Sequence, residues 1–310
     1  MPPTLPPDPP SGQPPSSGAD APPEPAAPTR LGCVSYLNTL PLIEGLGKLR
    51  NVRLTLTAPA RLIGLLEGGS VDAALVSTID FQRSREPLTM IPAGMIGCDG
   101  PTLTVRLFSR TPIGEVRRVA ADADSHTSIA LVTILLRELT GEAPAIEPID
   151  ADALRAENQR RADRGEAPEW PESILLIGDK VVTDSPPAIA YEHQLDLGAA
   201  WKELTGLPFV YAVWMCRADR ASEPGLLTAA GVLDRTRRHN ATRLGWLAAT
   251  RAPVRGWPAD LARRYLGELL RYEVTPAARR AVDEFFSRAA SAGLVERPRP
   301  CLWADDPPTG

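Results

Sequence analysis

Two short runs in the sequence gather side chains able to grip an anion. Ser35-Tyr36-Leu37-Asn38-Thr39 precedes Pro41, and Ser125-His126-Thr127-Ser128 precedes the apolar stretch that opens at Ile129. Each run follows a segment that reads as a strand and leads into one that reads as a helix. At such a junction the first backbone N–H groups of the helix lack partners, and the helix dipole is positive. Hydroxyls and an amide beside them make a cradle for a carboxylate or phosphate. The competing reading of each run is ordinary helix capping, for which Ser, Thr and Asn are the common residues. Two cradles facing across a cleft suit a ligand with two carboxylates.

Other residues carry narrower expectations. Asn38 offers both donor and acceptor. Asp179 ends the apolar run SILLIGD (173–179), where a carboxylate either positions or deprotonates a ligand or caps the next helix. His126 is a general base or a rim histidine. Trp214, inside FVYAVWMC (209–216), is core or cleft wall. Asp99 in CDGP makes a turn. The sequence holds no GxxxxGK[ST], GxGxxG, GxSxG or HExxH pattern, which argues against ATP, NAD and the common hydrolase chemistries. The histidines are scattered, and Cys33, Cys98, Cys216 and Cys301 form no CxxC pair. No metal, cofactor or disulfide framework is therefore expected.

The elements that must position these residues follow from periodicity. LGCV (31–34), VRLTLTA (52–58) and VDAALVS (71–77) read as strands. Between them lie PLIEGLGKL and a segment opened by Pro59 with Leu62, Leu65 and Leu66 on one face, both read as helices. This alternation predicts a parallel sheet with right-handed crossovers. LTVRLFS (103–109) and RRVAAD (117–122) are further strands, followed by a helix with Val132, Leu135, Leu136 and Leu139 in one stripe. Residues 151–170 read as a solvated helix plus loop, and 223–292 as almost entirely helical. The strands at 31–109 are expected in one sheet and those at 117–179 in a second. That predicts an α/β two-lobed clamp with a central cleft and a helical C-terminal segment. Lobe 1 would be 30–110 plus 214–296 and lobe 2 would be 111–213, with hinges near Arg110–Thr111 and Pro208–Phe209. Residues 1–29 form a Pro-rich segment expected to be disordered, and 297–310 a C-terminal tail.

The chain has 310 residues, a net charge of −4 and 43% hydrophobic residues. That suits two lobes with sizeable cores and gives no basic patch for nucleic acid or a membrane surface. No stretch is long and apolar enough for a membrane span, and the N-terminus lacks the basic start and apolar core of a secretory signal. A small-molecule ligand and a cytoplasmic location are the expectations.

Several segments taken together resemble the chorismate dehydratase family of the futalosine route to menaquinone. They are VSYLNTLPL, GSVDAALVS, CDGPTLTVRLFS, DSHTS, LLIGD and DLGAAWKELTGLPFVYAVW, in this order from residue 34 to residue 214. The resemblance implies a type II periplasmic-binding-protein-like fold used as an enzyme. The reaction implied is loss of water from chorismate, giving 3-[(1-carboxyvinyl)oxy]benzoate. Family site positions fall on Asn38, Thr104, Thr127, Ser128 and Asp179. With the residues of the two runs, the implied site has Asn38 and Asp179 as catalytic, and Ser35, Tyr36, Thr39, Thr104, Ser125, Thr127, Ser128 and Trp214 as substrate-binding. The base stays open between a substrate carboxylate, Asp179 and His126. Rival readings are a non-catalytic carboxylate-binding protein, a ligand-sensing regulatory domain, and the dihydroxynaphthoate-forming enzyme of the same route.

Overall fold

The chain forms two sheets facing across a cleft. In the computed structural model residues 27–306 are described; residues 1–26, most of the expected N-terminal tail, and 307–310 lie outside them. The first part of the chain runs β1 (Thr29–Cys33), α1 (Leu40–Ile43), β2 (Val52–Leu56), α2 (Pro59–Glu67), β3 (Ala73–Ser77), α3 (Asp80–Arg83) and β4 (Leu88–Cys98). β1 pairs in parallel with both β2 and β3, as the strand–helix alternation requires. Helix α2 has Pro59 at its first position, where the missing N–H costs nothing, and buries Leu62 and Leu66 one turn apart. Helix α1 is shorter than the periodicity suggests. It ends at Ile43 because the chain turns at Gly45, whose φ of 93° leaves the helical region.

The middle of the chain builds the second sheet from β5 (Val105–Ser109), β6 (Arg118–Asp122), α4 (His126–Thr140), β7 (Ala145–Ile149), α5 (Ala151–Asp163), β8 (Ser173–Ile177), α6 (Lys180–Thr183) and β9 (His193–Asp196). Its order is β7-β6-β8-β5-β9. Here the structure corrects the sequence reading: 105–109 belongs to this sheet, not the first. β5 finds its partners, antiparallel, in β8 and β9, far along the chain. The stripe on α4 is buried through Leu136, but Leu139 is exposed at the end of the helix.

The chain then returns through α7 (Leu197–Thr205) to β10 (Phe209–Arg217) and closes with α8 (Pro224–Ala241), α9 (Leu244–Arg251), α10 (Ala259–Arg264), β11 (Leu270–Arg271) and α11 (Pro276–Ser291). β10 lies antiparallel between β3 and β4, giving the first sheet the order β11-β4-β10-β3-β1-β2. All of Phe209–Val213 is thus in the first sheet rather than the second. The chain leaves the first sheet between Cys98 and Val105 and re-enters it between Asp196 and Phe209.

One carboxylate ties the two crossings together. Asp196 caps α7 by accepting from Gly198 and Ala199 N–H, and also accepts from Thr102 N at 2.9 Å and Leu103 N at 2.7 Å. The crossings approach so closely that a Cβ on Gly198 would lie 2.6 Å from the Gly100 carbonyl oxygen. The C-terminal stretch 297–306 is no loose tail. Gln82 and Arg299 exchange side chain-to-backbone hydrogen bonds at 2.7 Å, Trp303 bridges Met90 beside β4, and its indole is 7% exposed beneath the Arg279 guanidinium. A large aromatic that finds an apolar sheet edge and a cation stays there.

Candidate active site

A cavity lies between the sheets, and the ends of four strands, parallel in pairs, supply most of it. Tyr36 and Asn38 follow β1, Ser77 ends β3, Asp124 and Ser125 follow β6, and Gly178 follows β8. Ligands in open α/β sheets bind beyond these carboxyl ends. Thr39, Thr127 and Ser128 complete both cradles, while Thr102 and Thr104 come from the first crossing. Asn38 and Thr127, expected on facing sides of a cleft, do share this cavity.

The first cradle is a single 3-10 turn, Leu37–Thr39, leading into α1. Thr39 does not cap the helix. Its hydroxyl donates back to the carbonyls of Val34 and Tyr36, 3.0 and 2.8 Å away, and so fixes the loop. Leu37 and Leu40 bury against Trp257, Tyr265 and Leu266, so the C-terminal helices hold this turn from behind. Asn38 Oδ1 is buried and has no hydrogen-bond partner among the described residues. A buried amide oxygen without a donor costs about 1–3 kcal/mol, an imbalance that a ligand donor relieves.

The second cradle is the N-terminus of α4. Ser125 stands at its cap and makes no side-chain cap bond, leaving the first-turn N–H groups to the cavity. Thr127 Oγ1 accepts from Ile79 N at 3.1 Å across the cleft, so its own hydrogen is available to a ligand oxygen.

Three further contacts join the lobes at this level. His126 Nδ1 lies 2.8 Å from Asp80 Oδ1, outside the cavity lining. The hydrogen bond that the ring donates to Asp80 raises the imidazole pKa, against burial, which lowers it. His126 is therefore engaged on the cleft wall and does not reach the cavity as a base. Asp179 also stays outside the lining: its two oxygens accept from Leu37 N at 3.3 Å. Burial pushes this carboxyl up, offset in part by that N–H. The Tyr36 ring rests on Gly178, where an added Cβ would meet it at 3.2 Å.

Two expected binding residues are misplaced by the sequence. Trp214 is fully buried, paired with Leu75 and Ile91, and its indole lies near Gly94 beneath Leu42 and Arg237. It is two residues too far along β10: the register sets Ala212, not Trp214, beside Ser77 at the cavity. Ser35 is exposed and absent from the lining, because Val34 takes the inward position and the alternation turns its neighbour to solvent. Conversely, Tyr211 and Tyr265 line the cavity and were not expected there. Tyr211 had a signal, since it lies near the start of the apolar strand that returns to the first sheet. Tyr265 lies in a helical pattern 161 residues from its partner Thr104 and had none. Among the described residues the lining contains one carboxylate, Asp124, and no lysine, arginine, histidine or cysteine.

The family described as menaquinone biosynthesis matches residues 29–291. The chain belongs to that family. A chorismate dehydratase of Thermus thermophilus is 29% identical over 282 residues, covering 86% of this chain and 96% of that protein. The alkanesulfonate-binding protein SsuA of Xanthomonas axonopodis pv. citri, bound to MOPS, superposes with a TM-score of 0.61 at 14% identity, covering 90% of this chain and 96% of the other. A protein of Archaeoglobus fulgidus gives 0.60 at 16% identity, covering 86% and 98%. The architecture is thus a two-lobed, periplasmic-binding-protein-like α/β clamp. Among the described residues no helix is long and apolar enough to cross a membrane, and no group of three or more His, Cys, Asp or Glu is placed to hold a metal ion.

Proposed function

We propose that the protein is a chorismate dehydratase, a hydro-lyase of the cytoplasm that converts chorismate to 3-[(1-carboxyvinyl)oxy]benzoate and water. The observation that carries this reading is the convergence of Asn38 with Thr127 and Ser128, from opposite lobes, on one cavity. Membership of the menaquinone biosynthesis family and the relation to a named chorismate dehydratase support it. Lobe 1 is taken as 27–98 with 209–306, and lobe 2 as 105–196, with the Asp196-linked crossings as the hinge.

Chorismate carries two carboxylates. The α4 N-terminus with Ser125, Thr127 and Ser128 suits one, and the Leu37–Thr39 turn with Asn38 and Tyr36 suits the region of the other. In the reaction one ring C–H bond and the neighbouring C–O bond break, the ring becomes aromatic, and the hydroxyl leaves with the proton taken from carbon. Much of the driving force belongs to the aromatic product, so the protein's part is orientation and stabilisation of charge. A lining with no histidine or lysine among the described residues and with Asp124 as its carboxylate favours a carboxylate of the substrate as base, with Asn38 orienting it; Asp124 is the competing protein carboxylate. The test is incubation of pure protein with chorismate, following the benzoate product by its aromatic proton resonances. Product formation is expected. Binding of chorismate without conversion would instead make the protein a carboxylate-binding protein.

A further inference from the structure

We infer that Tyr265 is a positioning residue for this reaction, its hydroxyl setting the direction in which the Thr104 hydroxyl donates to the oxygen that leaves the ring. The inference rests on the dehydratase reading and names a part of the site that the sequence did not suggest.

Tyr265 Oη and Thr104 Oγ1 lie 2.5 Å apart, both residues are 1% exposed, and both line the cavity. Each hydroxyl has one hydrogen. One hydrogen lies between the two oxygens, and the other is free to point elsewhere. If Thr104 donates to Tyr265, nothing from Thr104 reaches a ligand. If Tyr265 donates to Thr104, the Thr104 hydrogen is released toward the cavity. Tyr265 therefore decides whether Thr104 acts as a donor. Burial pushes the phenol pKa up, so the pair stays neutral and contributes a hydrogen bond rather than a proton. Charge develops on the departing oxygen as its bond to carbon lengthens, and a donor already aimed there stabilises it.

The backbone is built to place this hydroxyl. Residues Tyr265–Leu269 form one π-helical turn, closed by Leu270 N–H donating to the Tyr265 carbonyl. Such turns are rare and concentrate at functional sites. In an α-helix residues five apart face about 140° away from each other, yet Tyr265 and Leu270 both line the cavity. The ring is held in its plane by stacking on Trp257, centroids 4.9 Å apart and planes at 18°. On the other side, Thr104 is anchored by its carbonyl, which accepts from Gly178 N at 2.9 Å. The C-terminal helices of one lobe thus reach the segment where the chain enters the other.

The experiment compares wild type, Tyr265→Phe, Thr104→Val and the double variant with chorismate as substrate. Tyr265→Phe is expected to lower kcat about 10- to 100-fold with KM within about threefold. The double variant is expected to be no worse than the poorer single, because the two hydroxyls act as one unit. A Tyr265→Phe enzyme with kcat within about twofold of wild type overturns the inference, as do losses that multiply in the double variant. Should Tyr265→Phe fail to fold, Thr104→Val decides: retention of full kcat sinks the proposal. Wild-type protein that makes no product from chorismate removes the dehydratase reading itself, an outcome distinct from an indifferent Tyr265→Phe.

Discussion

In the proposed reaction Asn38 is the residue on which the chemistry turns. Its buried, unpartnered Oδ1 sits in a loop whose shape is set by Thr39 and by the apolar backing of Leu37 and Leu40. Asn38→Ala should lower kcat about 10²- to 10³-fold, the scale of removing one preorganised polar group at a reacting centre. Asp179→Asn should cost less than about tenfold, because that carboxylate holds the Leu37 N–H and lies outside the lining. Product formation from chorismate by both variants, with Asp124→Asn beside them, checks this. Full kcat in Asn38→Ala with none in either aspartate variant would return the base to the protein. Asn38, Thr127 and Ser128 were legible because polar residues at strand–helix junctions announce themselves locally, whereas Thr104 came only from the family resemblance. Trp214 was misplaced and Tyr265 missed because strand register and a distant helical turn decide them, and neither is written in neighbouring residues.

At the scale of elements, α3 and α4 meet across the cleft through Asp80 and His126. The groups facing the imidazole are Asp80 and Arg83 from α3 and Asp124 ahead of α4. When the lobes part, His126 loses Asp80 and reverts toward an ordinary value near ~6.5. The closed form therefore binds the proton more tightly. Its extra stability is fully present below the ordinary imidazole pKa and is lost as pH rises through the raised value. KM for chorismate should rise severalfold as pH climbs from below the ordinary imidazole value through the raised one. In Asp80→Asn it should be higher throughout and nearly flat. Superimposable profiles would show that the pair does not govern closure. Most helices and strands were readable from period and turn residues. The placement of β5 in the second sheet was not, since its partners β8 and β9 lie far downstream. Nor was the two-residue β11 or the π turn before it, which are too short to carry a period.

For the whole molecule, the lobes are joined by two crossings gathered on the Asp196 carboxylate. A clamp hinged this way closes without unfolding. Asp196→Asn removes charge from bonds worth about 1.5–3 kcal/mol each when one partner is ionised. It should lower the melting temperature by several degrees, with a larger loss in substrate affinity than in kcat; calorimetry and steady-state kinetics read the two effects. An unchanged melting temperature would mean that the crossings hold together without it. The two-lobe plan was visible in the order of predicted strands, but where the crossings fall was not, because it depends on which distant strands pair.

The Tyr36 ring lies on Gly178 along the wall of the cavity. The lobes touch there through one aromatic face and a bare backbone, with no side chain of Gly178 between them. A methyl group on Gly178, as in Gly178→Ala, would meet that ring at 3.2 Å on a backbone held at φ 66° and would wedge the lobes apart.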